Sequence, residues 1–341
     1  MFNNIVIHNF RGIKSCVLAN LGLINLFFGK NNCGKTSLLE SMLLLADPSN
    51  PTLPVLINNQ RNLLSFSEDD ILVDFYGATP TNKIQLECSG GFSRKVEIEM
   101  IEEEARNIPL AALEHDTETS RYGYRISFVE SGKKYFSELL KNDGTEGNIH
   151  KSGNYKEKIH SRYIPSGSLL DKDLGLLEEV FKRKEEKKVL TALQIVEPRI
   201  KDIQLSGKKL MVDVGLDTRL PINVMGDGVR RVLALILSIL SCKDGVLMID
   251  ELDNGLHHSV MSGLWKVLIR TAQANNVQLF VSTHSKDMLT SLVEVIQEKQ
   301  EPSLSEISAF KLLRKEDDTL VALRYDAKEL SFAMEQNMEV R

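Results

Sequence analysis

Four short blocks of the 341-residue chain carry residues whose types and spacing suit chemistry on a phosphate anhydride. The first is GKNNCGKT, residues 29–36, which fits the spacing G-x-x-x-x-G-K-T. Gly29 and Gly34 let the backbone bend so that its N–H groups, through Asn31, Asn32 and Cys33, converge on phosphate oxygens. Lys35 is spaced to reach the β- and γ-phosphates, and the Thr36 hydroxyl to bind Mg²⁺. Ser37 belongs to the same turn, whose helix start adds a partial positive charge. The expected ligands are ATP and Mg²⁺.

The second block, GVLMIDE at 245–251, is an apolar strand ending in two carboxylates. Asp250 is suited to hold Mg²⁺ and Glu251 to polarise an attacking water, although two acids at a strand end can also form a solvated turn. In LFVSTHS, 279–285, His284 stands at a strand end, where it can donate to the γ-phosphate or the water; a lone histidine can equally be structural. The fourth, MGDGVRR at 225–231, places two glycines around an acid before a helix, which makes either an anion-cradling turn or an ordinary helix cap.

These residues need an α/β frame to position them. NIVIH (4–8) and LINLFF (23–28) read as strands, and a helix spans 35–46 until Pro48, Pro51 and Pro54 end it. ILVDFY, KIQLEC, KVEIEM and YRISFV, between about 71 and 130, suggest an antiparallel sheet. Residues 141–160 read as an exposed loop or hairpin, and the stretch from Leu169 to about Val196 as helical, with KRKEEKK (182–188) a solvated helix face. From 201 onward, strands and helices alternate as an α/β core requires.

Composition narrows the classes. A net charge of -5 argues against a surface that binds polyphosphate as a whole. The apolar run Val232–Leu240 is too short to span a bilayer and reads as a buried helix. Cys16, Cys33, Cys88 and Cys242 show no C-x-x-C spacing, so reduced thiols in a cytoplasm are expected, and the first residues carry no secretion pattern. No G-x-S-x-G or H-E-x-x-H block offers a second catalytic centre.

The order of these four blocks resembles the ABC-type ATPase heads, and more narrowly the SMC/RecF/OLD-like branch found in bacterial defence operons. HNFRGIKS resembles the N-terminal strand of that branch, which implies that Arg11 lies close to the nucleotide. MGDGVRRVL, IDELDNGLHHS and STHS match the defence-type pattern better than a transporter's. The resemblance covers the head, residues 1–100 and 200–341, with 101–199 as an inserted β and helical region. It implies an ABC-ATPase head with a P-loop core sheet, an antiparallel β subdomain and a helical insertion.

The resemblance further implies a homodimer or higher homo-oligomer closed around Mg·ATP. Gly226, Asp227 and Gly228 would then act in trans on the partner's nucleotide, with Asp253 and Asn254 in a D-loop near the seam. His257 and His258 leave two readings, a metal site or a solvent-facing loop or helix start. The chain departs from the pattern in lacking the serine-led LSGGQ form, which leaves its phosphate contacts open. Gln60 and Gln85 are both candidates for the glutamine that links the lobes. No coiled coil interrupts the head, and the chain after His284 is too short for a Toprim nuclease domain. The implied function is an ATPase switch for a separately encoded effector, a nuclease or toxin, in anti-phage defence, without a membrane. A RecF-like DNA-repair ATPase, with duplex DNA held by basic residues of 130–190, and a non-hydrolysing scaffold that restrains a toxin stand as alternatives.

Overall fold

The structure, a computed structural model, describes residues 1–63, 67–103, 121–141, 147–167, 174–207, 209–298 and 306–336. Residues 142–146, near the start of the 141–160 stretch, the start of the helical pattern at Leu169 and the terminal residues 337–341 lie outside them.

Along the chain come β1 (Phe2–Phe10), β2 (Ile13–Leu18), β3 (Ile24–Phe28), α1 (Lys35–Ala46), α2 (Leu53–Gln60) and α3 (Glu68–Leu72). Next are β4 (Ile84–Gly90), β5 (Arg94–Glu103), β6 (Arg121–Glu130), β7 (Lys133–Lys141), β8 (Asn148–Lys151) and β9 (Ser161–Ile164). Then follow α4 (Leu174–Lys182), α5 (Glu186–Val196), β10 (Asp202–Ser206), β11 (Lys209–Asp213), β12 (Leu220–Pro221) and α6 (Asp227–Ser241). The last are β13 (Val246–Ile249), α7 (Met261–Asn275), β14 (Gln278–Thr283), α8 (Lys286–Gln297), β15 (Ile307–Arg314), β16 (Thr319–Asp326) and α9 (Ala327–Glu335). They form two compact units, one of residues 1–20, 36–158 and 313–322, the other of 21–35, 159–312 and 323–341. The division passes between Lys35 and Thr36, at the start of α1.

The first unit is built on an antiparallel run in the order β8-β7-β6-β5-β4-β1-β2. Alternation sets its buried face: Ile84, Leu86 and Cys88 of β4 line up with Val96 and Ile98 of β5 and with Tyr124, Ile126 and Phe128 of β6. Helix α1 is buried along nearly its whole apolar length, Leu38 through Ala46. Its last carbonyls are capped by Arg94 of β5, wholly buried, which donates to Leu45 O at 3.0 Å and Ala46 O at 2.7 Å and pairs with Glu130 and Glu157. ILVDFY is not a strand. Ser67, accepting from the Asp70 N–H, caps a helical turn over its first residues, and only Phe75 makes an isolated bridge, to Phe10. Pro54 sits in the first turn of α2 rather than ending α1, a position proline suits.

The second unit has a parallel sheet in the order β15-β3-β14-β13-β9. Strands β3, β13 and β14 are buried at every position, which is why LINLFF, VLMI and QLFVST read as unbroken apolar runs rather than alternations. Val232–Leu240 lies in α6 and is entirely buried. Trp265 of α7, 0% exposed, anchors α8 by donating from Nε1 to Met288 O at 3.1 Å. KRKEEKK is not one helix face, since Lys184 turns left-handed (φ 58°) and separates α4 from α5. β10, β11 and β12 form a separate antiparallel sheet. Among the described residues no helix is long and apolar enough to cross a membrane.

Because β14 pairs with β3 on one side and β13 on the other, the carboxyl ends of these strands stand side by side. That edge is where open α/β sheets bind ligands, and from it leave the loops carrying Gly29, Asp250 and His284.

Candidate functional site

The loop after β3 is wound by backbone conformations that favour glycine: φ is 152° at Gly29 and 105° at Gly34, with Asn32 at 61°. A side chain at Gly29 would strike Leu312 O, 2.7 Å from the Cβ position. Asn31 and Asn32 are exposed, whereas Cys33 is buried against Gly29. Lys35, 8% exposed, turns back into the loop and donates from Nζ to Gly29 O and Lys30 O, both at 3.0 Å. The ammonium is thus fixed within the ring of backbone that the glycines create. Thr36 follows it in the chain, and Ser37 Oγ accepts from Arg61 Nη2 at 3.4 Å on the first turn of α1.

At the end of β13, Asp250 is 4% exposed and is oriented from two sides, by the Ser282 hydroxyl on Oδ1 and by Tyr163 OH, 3.4 Å from Oδ2. The register that pairs Ile249 with Val281 carries Ser282 to Asp250 one step on. Glu251 is left-handed (φ 47°), and its N–H donates to Ser282 Oγ at 2.9 Å. Its carboxylate accepts from the Ser166 hydroxyl and stands 3.7 Å from His284 Nδ1. The other ring nitrogen of His284 is 3.9 Å from Asp253 Oδ2, and Thr283 Oγ1 holds Asp253 Oδ1 at 2.6 Å. Asn254 donates to Ser166 Oγ at 3.1 Å. Glu251, Asp253, Asn254 and His284 therefore form one polar cluster at the sheet edge.

Beneath it lies Arg231, 2% exposed, whose guanidinium donates to the main-chain oxygens of Asp250 (3.0 Å), Glu251 (3.3 Å) and Pro165 (3.3 Å). Burial holds its pKa below the ordinary value, against the pull of Asp250, Asp253 and Glu251. Arg231 thus clamps the turn that aims both acids. Arg231→Ala should lower stability by about 2–4 kcal/mol, the scale of removing a buried charge-assisted network, measured by denaturant unfolding. Arg231→Lys, which offers a point charge instead of a planar fork, should recover less than half of that.

Gly226 and Asp227 are exposed and Gly228 half-buried at the start of α6, with Asp227 paired to Arg230. Val224, just before them, is 65% exposed. His257 and His258 are exposed; His257 caps the short helix from 258 to 260 by accepting from Ser259 N, so they are a helix start. Arg11 (φ 51°) sits in the first unit against α1, 3.1 Å from Glu40 Oε2 and 3.2 Å from Asp74 Oδ1. Burial pushes the Asp74 carboxyl up to about 6, while Arg11, Tyr124 and Asn58 pull it down and Glu40 adds to the rise. Gln60 and Gln85 are both exposed in the first unit.

A family model described as "AAA domain, putative AbiEii toxin, Type IV TA system" matches residues 24–289. The chain belongs to this AAA-domain family. It is 23% identical, over 98% of each chain, to a Helicobacter pylori protein named as an ATP/GTP phosphatase. Over 44 residues it is 52% identical to an uncharacterised protein of Methanocaldococcus jannaschii. Its fold is that of SMC heads. It matches the SMC head bound to the C-terminal winged-helix domain of ScpA with a TM-score of 0.53 at 10% identity, covering 96% of this chain and 98% of that one. A Pyrococcus furiosus SMC head with ScpA matches with a TM-score of 0.52 at 8% identity, covering 98% and 99%. The AAA-domain chain is thus an ATPase-type head with an SMC-like fold.

The supporting residues Ser166, Arg231, Ser282 and Thr283 are the ones sequence reasoning missed. Ser282 and Thr283 lie inside LFVSTHS and Arg231 inside MGDGVRR, so membership of a motif was the available signal. Ser166, in YIPSG after β9, had none.

Proposed function

We propose that this head binds Mg·ATP on the loop 29–36, hydrolyses it with Glu251 as general base, and works as a dimerising switch for a separate effector. The observation that carries the reading is the convergence, at one sheet edge, of the buried Lys35 ammonium, the buried Asp250 carboxylate and the Glu251–His284 pair. Lys35 and the loop N–H groups suit the β- and γ-phosphates. Asp250 offers a hard oxygen donor and the motif's spacing makes the Thr36 hydroxyl the expected second one, while among the described residues no cluster of three or more acids, cysteines or histidines could hold a metal by itself. That donor set fits Mg²⁺, which takes one or two protein oxygens and completes its shell with phosphate and water. Mg²⁺ would supply charge neutralisation on the phosphates. Glu251 would draw a proton from the attacking water, with His284 fixing the water or donating to the γ-phosphate.

At the start of α6, exposed Gly226 and Asp227 with half-buried Gly228 suit a phosphate offered from outside, by a second copy of the chain. Asp253 and Asn254, on the loop joined to Glu251, suit the seam beside it. The similarity to an ATP/GTP phosphatase supports the chemistry, and the SMC heads bound to ScpA domains support a role in which the head reports to another protein. The setting we infer is bacterial defence, with a nuclease or toxin as effector.

Closure in trans has its own test. Lys35→Ala chains lack the loop and Gly228→Asp chains lack the turn; neither should hydrolyse ATP alone. Mixed in equal amounts, half of the dimers are hybrids with one intact composite site, so activity should return to about a quarter of wild type. Hybrids shown by mass spectrometry to be present but inactive would contradict trans closure.

A further inference from the structure

We propose that Ser166 is a positioning residue for the Glu251 carboxylate, and that the chain Asn254–Ser166–Glu251 sets which carboxylate oxygen faces the water. The proposal rests on the reading of Glu251 as general base. The backbone of Glu251 is fixed on both sides, its N–H by Ser282 Oγ and its carbonyl by Arg231. Its side chain is not fixed by packing, for it is 36% exposed. His284 Nδ1, at 3.7 Å from Oε1, is too far to hydrogen-bond. The hydrogen bond that orients the carboxylate is the one Ser166 donates to Oε2.

The direction of that bond follows from chemistry. A serine hydroxyl has one proton, and an ionised carboxylate can only accept. With the proton given to Glu251, Ser166 Oγ must accept from Asn254, which it does from Nδ2 at 3.1 Å. Each bond polarises the next. Oε2 is thereby occupied and Oε1 is left toward His284, as an in-place base requires. Asn254 is exposed on the loop following Glu251, and the Cβ position of Gly167 lies 3.8 Å from its amide. A contact that engages the Asn254 amide from outside therefore changes the orientation of the base without touching it.

The test is ATPase kinetics on the full chain. Ser166→Ala should lower kcat about 10-fold, the cost of a base no longer held in line, with KM for ATP within about twofold because Lys35 and the loop are untouched. Ser166→Thr restores the hydroxyl and should keep at least about half of kcat. Asn254→Asp places a carboxylate where the amide donated; it would capture the Ser166 proton and should lower kcat as Ser166→Ala does. In a Glu251→Gln background Ser166→Ala should cause no further loss, since the two residues act as a unit. An unchanged kcat in Ser166→Ala, or an undiminished loss on top of Glu251→Gln, would overturn the relay while leaving the base in place. Wild-type hydrolysis by Glu251→Gln would instead remove the base itself. Ser166 is exposed, so these variants should fold, and melting temperatures within about 2 °C of wild type would show a kinetic rather than structural effect.

Discussion

Lys35→Ala should weaken ATP binding by about 100-fold or more, equivalent to about 2.7 kcal/mol. The ammonium is buried and aimed into the loop, with Gly29 O and Lys30 O holding Nζ where two phosphates would share it. In so dry a place a charge-assisted hydrogen bond is worth about 1.5–3 kcal/mol, and the lysine can make more than one. Isothermal calorimetry with a non-hydrolysable ATP analogue reads the loss directly. A parallel melting curve separates it from collapse of the loop, since Lys35 also ties the loop's carbonyls. Wild-type affinity in a folded variant would mean that GKNNCGKT is not the site.

Glu251→Gln should leave ATP binding intact and slow hydrolysis by about 10²-fold or more, the scale of a positioned general base. The substitution is unusually clean here. Glutamine tolerates the same left-handed backbone at the same cost as glutamate, and its amide oxygen can still accept from Ser166. Lys35 and Asp250 keep their own partners, Gly29 and Lys30 for one, Ser282 and Tyr163 for the other. What disappears is the oxygen able to take a proton from water. Single-turnover phosphate release against calorimetric affinity separates the two effects.

How much of this could be read from residues alone depended on the range over which each signal acts. GKNNCGKT, GVLMIDE and LFVSTHS are local: strand, turn and chemistry lie within one short stretch, and strands buried on both faces announce themselves as unbroken apolar runs. The sheet order that brings Ile249 beside Val281, and so Ser282 onto Asp250, is a tertiary register that no single stretch encodes. Ser166 illustrates the limit. It meets Glu251 only because β9 and β13 run parallel, and a serine in YIPSG is an ordinary loop residue until that pairing exists. Arg231 was hidden for the opposite reason. It stands next to Arg230 in a motif that reads as an anion-cradling turn or a helix cap, yet faces inward at 2% exposure. ILVDFY misled because its β-rich composition was outweighed by a Ser67–Asp70 capping box just upstream.

ATP that is held but not cleaved should join two heads, and the light-scattering mass of the Glu251→Gln chain with and without Mg·ATP tests this most directly. The chain mass is 38.4 kDa. With cleavage blocked, the mass should double on adding Mg·ATP and fall back when the nucleotide is removed, while Lys35→Ala chains stay unchanged under both conditions. If Glu251→Gln binds Mg·ATP by calorimetry and its mass is the same with and without it, the switch is contradicted.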